Sequence, residues 1–158
     1  MTSRNEQRRG RRIMMDRQER DAFLAEQRTC RVATVSADGS PHATPLWFYW
    51  DPAGEDDGEG DGEGALWLYS LTRSQRWADT VREPRVAVVV DAGHEYGELR
   101  GVEVRGSAEP AEAPPAVRKG FARKNFGLDE VPPDGRHDWL RITPTAIRSW
   151  DFRKIPQG

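Results

Sequence analysis

The segment Tyr69-Ser70-Leu71-Thr72-Arg73-Ser74-Gln75-Arg76-Trp77 holds the residues best suited to bind an anion. Ser70, Thr72 and Ser74 bring hydroxyl donors. Arg73 and Arg76 bring cations three positions apart, on neighbouring faces of a first helical turn. A strand ending at Ser70 and a helix beginning at Thr72, with Gln75 completing a capping box, would aim free N–H groups and the positive helix end back at the strand. A phosphate needs this mixture of donors and positive charge. The same residues also suit a well-capped surface helix with solvated arginines, and the segment alone leaves both readings open.

A second chemical feature is Pro41-His42-Ala43-Thr44-Pro45-Leu46-Trp47-Phe48-Tyr49-Trp50. Pro45 cannot donate to a strand ladder, so the strand there should be an edge or face a ligand. Trp47, Phe48, Tyr49 and Trp50 put large rings on both faces of that strand. One face joins the core; the other should meet a ring-shaped ligand or a second subunit.

The usual catalytic constellations are missing. His42, His94 and His137 are separated from one another and from Cys30 in sequence, with no metal-ligand spacing. There is no Gly-Lys-Ser/Thr phosphate loop and no Gly-x-Ser-x-Gly elbow. Each histidine reads first as a surface or strand-end residue. Tyr49, Tyr69, His42 and His94 stand equal as proton donors. In an enzyme of this kind the difficult chemistry belongs to a bound cofactor.

The elements that must position these residues follow from periodicity and turn chemistry. Asp16–Gln27 reads as an amphipathic helix, with Asp16 and Glu19 as a capping box. Cys30–Ser36 and Pro41–Trp50 form a hairpin around the Asp38-Gly39 turn, and Ala65–Ser70 is a third strand pairing with the second. Thr72–Glu83 is a helix ended by Pro84. Arg85–Asp91 is a buried strand, and Gly97–Ala108 is another with a bulge or bend at Gly101. Ala113–Phe126 is a helix entered through Pro114-Pro115. After the Pro132-Pro133-Asp134-Gly135 turn come two strands, His137–Thr143 and Thr145–Phe152. About seven short strands joined mainly as hairpins, with three helices between them, favour an antiparallel barrel over a doubly wound sheet.

Composition bounds the rest. The chain has 158 residues, 24 Lys+Arg against 26 Asp+Glu, a net charge of −2 and 36% hydrophobic residues, which fits one domain. The net charge hides two appendages: residues 1–12 carry +4 and residues 51–64 carry −7, leaving a body at +1. Residues 1–12 read as a disordered Arg-rich leader, or as sequence ahead of a start at Met14 or Met15. Five arginines could contact nucleic acid, but the leader has no interleaved aromatics and the body shows no broad basic excess, so nucleic acid is not an expected partner. Residues 51–64 read as an acidic, Gly-rich mobile loop. An EF-hand register there would start at Asp57 and end on Leu68 where a Glu is needed, so no metal is expected. A lone Cys30, no apolar run of bilayer length and no secretory signal predict a cytoplasmic protein with no membrane partner.

Taken in order, several segments resemble the pyridoxamine 5′-phosphate oxidase-like split-barrel family. They are the run from Arg31 through Asp38-Gly39 to Pro45-Leu46-Trp47-Phe48, Leu66-Trp67-Leu68-Tyr69-Ser70 with Thr72-Arg73-Ser74-Gln75-Arg76-Trp77, Glu83–Asp91, Leu99–Glu109 and Ser149-Trp150-Asp151-Phe152. The likeness spans about residues 16–155. It implies a mainly β fold, an antiparallel split β-barrel of six or seven strands with three helices, as one domain over residues 13–158. It also implies a homodimer binding FMN or the deazaflavin coenzyme F-420 at its interface.

By the same resemblance, Arg76 is the basic residue on the cofactor phosphate, with Ser70, Thr72 and Ser74 as neighbouring donors. Tyr69 and Trp77 belong to the same matched segment. Pro45, Leu46 and Trp47 lie along the ring system, and Trp150 approaches the pocket from the partner subunit. The C-terminus lacks the Arg-x-His element that holds substrate in true pyridoxamine-phosphate oxidases. The likeness is therefore closer to compact FMN- or deazaflavin-dependent reductases. These would transfer hydride between cofactor and a small unsaturated or conjugated molecule. The alternative implied function is a non-catalytic flavin-binding or sensing module.

Overall fold

The computed structural model describes residue 7 and residues 10–54 and 64–156. Most of the acidic loop, residues 55–63, lies outside the described residues, as does most of the leader. Within the leader, Arg11–Ile13 forms a short 3-10 turn. Gln7 exchanges two hydrogen bonds of 3.0 Å with the Ser149 backbone, so these leader residues are held against the body.

Six strands, β1 (Thr29–Val35), β2 (Pro41–Asp51), β3 (Ala65–Leu71), β4 (Arg85–Ala92), β5 (Arg100–Pro110) and β6 (His137–Asp151), close a barrel in the order β1-β2-β3-β6-β5-β4. Every neighbouring pair is antiparallel. Three helices, α1 (Arg17–Glu26), α2 (Gln75–Arg82) and α3 (Pro115–Phe126), lie around it. None is long and apolar enough to cross a membrane.

Strand alternation explains the core. Cys30, Val32, Phe48, Trp50, Leu66, Leu68, Val88, Val104 and Ile142 point inward and are at most 4% exposed. Outward-facing Trp67 and Trp139 make a second apolar layer under Val117 and Phe121 of α3. The four rings after Leu46 divide accordingly. Phe48 and Trp50 enter the core, Tyr49 packs into the α3 layer, and Trp47 stays 38% exposed with its ring 5.5 Å from Phe126.

The expected hairpin and α1 capping box are present. Asp16 accepts from the Glu19 N–H at 2.8 Å, and Glu19 accepts from the Asp16 N–H at 3.2 Å. Three expectations shift. The last two strands are one, because β6 carries a one-residue bulge beside its proline: Arg105 pairs with Ala146 and Gly106 with Pro144, leaving Thr145 as the extra residue. The β5–β6 register shift therefore falls at Arg105/Gly106 rather than at Gly101. Gly101 lies opposite Trp150, and a Cβ there would stand 2.2 Å from the indole, so glycine makes room for the ring. The helix expected from Thr72 begins at Gln75 under a Ser74 cap.

The feature that shapes the site is the split in β2. Pro41–Trp47 pairs only with β1, and β3 joins from Phe48 onward. Along Pro41–Trp47 the other edge of β2 has no strand partner among the described residues. Pro45 sits in that stretch, opposite Arg31, where the ladder makes no demand on its second side.

Candidate functional site

α2 packs at the mouth of this split and sends Arg76 into it. The guanidinium donates from Nη1 to Thr44 Oγ1 at 2.6 Å, and from Nε and Nη2 to Ser70 Oγ at 3.3 and 3.2 Å. It thus bridges the unpaired edge of β2 to the end of β3. Ser70 is 1% exposed, so one side of this anchor is sealed in protein. Arg76 is half-buried, and burial pushes its pKa down, which marks a cation whose charge the surroundings do not neutralise. Its partners are neutral hydroxyls, and it makes no ion pair among the described residues.

Arg82, one and a half turns on, shows the contrast. It donates to Asp79 Oδ1 at 3.0 Å and to the Val35 carbonyl oxygen. Burial would raise the Asp79 pKa, but hydrogen bonds from Gln75, Arg82 and Ser36 hold it below the usual carboxylate value. Among the described residues, Arg82 therefore has its counter-charge and Arg76 has none. A phosphate monoester fits the Arg76 position, with two hydroxyls and the positive end of α2 beside the guanidinium. His42 lies two residues before Thr44 on the same side of β2, and its buried Nδ1 has no hydrogen-bond partner, a further polar atom suited to a bound group.

The other expected residues divide. Ser70 and Arg76 come together as the sequence predicts, joined by Thr44, which sequence reasoning did not single out. The Thr72 N–H and hydroxyl both donate to the Arg136 carbonyl, at 3.0 and 3.2 Å, tying α2's approach to the turn before β6. The Ser74 hydroxyl accepts from the Trp77 N–H at 3.1 Å and donates to the Leu71 carbonyl at 2.8 Å. Both hydroxyls are thus engaged by the protein itself. Arg73 is exposed ahead of the cap, and Trp77 packs against the barrel core.

Pro45, Leu46 and Trp47 lie on the unpaired stretch of β2, beside the Arg76 bridge. Tyr69 points to the opposite face of β3 from Ser70 and lines a cavity with Trp47. Trp150 borders a different cavity with Arg31, Asp91 and Arg100, so it does not meet Arg76 within one chain. No group of three His, Cys, Asp or Glu side chains positioned for a metal ion occurs among the described residues.

Two more cations lie near Trp47 and Phe48 of β2. Arg28 stacks 4.6 Å from the Trp47 ring and donates to the Asn125 carbonyl at 2.8 Å. Lys124 lies 3.9 Å from the Phe48 ring and donates to the Leu24 carbonyl at 3.1 Å. Burial lowers the Lys124 pKa to about 8. Burial also raises that of Cys30, enclosed between Arg76 and Lys124, to about 12, so this thiol is a core residue and no nucleophile. Arg76 can therefore hold an anion, and the edge of β2 beside it, which no second strand covers among the described residues, can take a flat, polarisable body.

A family model described as pyridoxamine 5′-phosphate oxidase matches residues 17–151. No curated protein matches the chain. Among solved structures, the chain is similar to Rv2991, a conserved hypothetical protein of Mycobacterium tuberculosis, at 30% identity with 97% of this chain and 95% of that one covered and a TM-score of 0.73. It is similar to an F420 reductase at 26% identity, covering 80% and 94%, with a TM-score of 0.60. A FAD-binding protein of Mesorhizobium loti, 18% identical over 86% and 94% with a TM-score of 0.62, shares the fold.

Proposed function

The chain belongs to the pyridoxamine 5′-phosphate oxidase family, and on that premise we propose that it binds a phosphorylated flavin or deazaflavin, FMN or coenzyme F-420, as an oxidoreductase. The observation that carries the reading is Arg76, a half-buried cation with only neutral partners at the mouth of an unpaired strand edge. Likeness to an F420 reductase supports a redox role and the deazaflavin alternative.

Arg76, Ser70 and Thr44 hold the cofactor phosphate. The backbone of Pro45-Leu46-Trp47 offers its free edge to the ring system, and the Trp47 indole provides an apolar wall beside it. When bound, such a cofactor supplies hydride chemistry that no side chain provides. The protein orients the partner molecule against it and excludes water. The substrate is a small unsaturated or conjugated molecule. The active form is a homodimer in which Trp150 of one protomer approaches the site of its partner, and the protein acts in the cytoplasm.

Purification and titration test this directly. The protein should bind FMN or the deazaflavin coenzyme in the low micromolar range or better, and the reduced complex should pass its electrons to a conjugated acceptor. Binding of neither cofactor below high micromolar would refute the reading. Tight binding without turnover on any acceptor would favour a sensing module.

A further inference from the structure

On the outer face of β3, away from Ser70 and Arg76, lies a cavity of about 460 Å³. Its walls include Trp47, Tyr69, Phe121, Phe126, Leu128 and Val131. The rings form a continuous chain: Trp47 is 5.5 Å from Phe126, Phe126 is 6.0 Å from Phe121, and Phe121 is 5.8 Å from Tyr69. That volume and lining suit a small planar molecule held by edge and face contacts with aromatic rings.

Two titratable groups besides Tyr69 enter the cavity, and they act as a pair. Asp134 Oδ2 lies 2.6 Å from His137 Nδ1, while its Oδ1 accepts from the backbone N–H groups of Arg136 and His137 at 2.8 and 2.9 Å. Those backbone bonds, with the imidazole contact, hold Asp134 well below the usual carboxylate range, at about 2. An ionised Asp134 therefore fixes the His137 tautomer with its proton on Nδ1. The imidazole lies stacked on Tyr69, centroids 4.8 Å apart and planes 24° apart. Its Nε2 makes no hydrogen bond among the described residues.

A carboxylate-oriented imidazole with a free Nε2, set in an aromatic cavity, is the arrangement that general acid–base chemistry requires. We infer that this cavity binds a planar conjugated molecule bearing a phenolic, enolic or carbonyl oxygen, and that His137, positioned by Asp134, exchanges a proton with that oxygen at Nε2. Trp47 joins the cavity to the β2 edge assigned above to the cofactor ring. The redox consequence rests on that assignment. Hydride from a reduced flavin or deazaflavin would add to the β-carbon of a conjugated carbonyl. The C=C pair would shift to leave the oxygen as an enolate. His137, having first taken a proton from solvent at Nε2 while Asp134 keeps its Nδ1–H, would give that Nε2 proton to the oxygen and return to the neutral Nδ1–H tautomer. One hydride and one proton give the enol, which tautomerises to the saturated carbonyl compound.

Binding is tested on the full chain with no cofactor present, so failure here is distinct from failure of the cofactor reading. The probes are 2-naphthol and 2-methoxynaphthalene, which share a ring system and differ in the hydroxyl hydrogen. Wild type should prefer 2-naphthol by about fivefold or more, as expected of one buried hydrogen bond. His137→Gln should bring the two within twofold, and Phe126→Ala should weaken both alike. In the wild type, ¹⁵N spectra should show the His137 Nε2 resonance moving with 2-naphthol and not with its methyl ether. In Asp134→Asn the same spectra should show the tautomer preference lost. Equal affinity for the two probes in wild type, an unchanged preference in His137→Gln or a stationary Nε2 resonance would each overturn the inference.

Discussion

Arg76 and Thr44 meet at 2.6 Å beside Pro41–Trp47, the stretch of β2 that pairs with β1 and that β3 does not reach. The contact ties the start of a helix to an open strand edge through a cation that has no carboxylate partner among the described residues. Elsewhere on α2 the protein neutralises an arginine with Asp79, whereas Arg76 meets no carboxylate among the described residues.

Thr44 should matter to ligand binding out of proportion to its size. Thr44→Val keeps the shape and removes the hydroxyl, freeing Arg76 Nη1 from its fixed position. A hydrogen bond to a charged group contributes about 1.5–3 kcal/mol, so FMN affinity measured by fluorescence should fall roughly tenfold. Arg73→Ala, at an exposed position ahead of the helix cap, should change it less than twofold. The reverse ranking would place the anion site elsewhere.

The buried amine of Lys124 gives stability a predictable pH dependence. Its folded pKa of about 8 lies below the ordinary 10.5, because burial penalises the ammonium. Between these values the unfolded chain binds more protons, so this group's unfavourable contribution is complete below pH 8 and fades as pH rises toward 10.5. Lys124→Met should thus be at least as stable as the parent at pH 7. Its advantage in thermal melts should shrink by pH 10. A gap that stays constant with pH would mean that burial does not perturb this amine.

Gly101 and Trp150 form a dependent pair. Gly101→Ala should cost about 1–3 kcal/mol in urea unfolding, since the new methyl lands within the indole. In a Trp150→Ala background the same change should cost less than half as much, and the double-mutant cycle isolates the coupling. Full additivity would show that the backbone, and not the indole, forbids the side chain.

Much of this molecule was readable from residue order. The Asp16/Glu19 box, the Asp38-Gly39 hairpin and the edge character forced by Pro45 are local rules that the tertiary structure leaves intact. Thr72 and Gln75 fit a capping box and place the start of α2 three residues early, since Thr72 is drawn off by the Arg136 carbonyl and Ser74 takes the cap. Pro144 signals a strand break, but a bulge at Thr145 in the same strand absorbs it. The Asp134–His137 pair was hidden because Pro-Pro-Asp-Gly reads as a connecting turn. Only folding places that turn against Tyr69 and Trp47. Spacing such as Asp-x-x-His at a strand entry was the available signal.

The central claim is that Arg76 binds the phosphate of a flavin-type cofactor, and the most direct measurement is how strongly the protein discriminates for that phosphate. FMN should bind wild type at least tenfold more tightly than riboflavin, and the deazaflavin coenzyme should show the same preference over its phosphate-free form. Arg76→Ala should reduce the ratio to about one while leaving the weaker, phosphate-free affinity nearly unchanged. A preference that survives in Arg76→Ala would contradict the account.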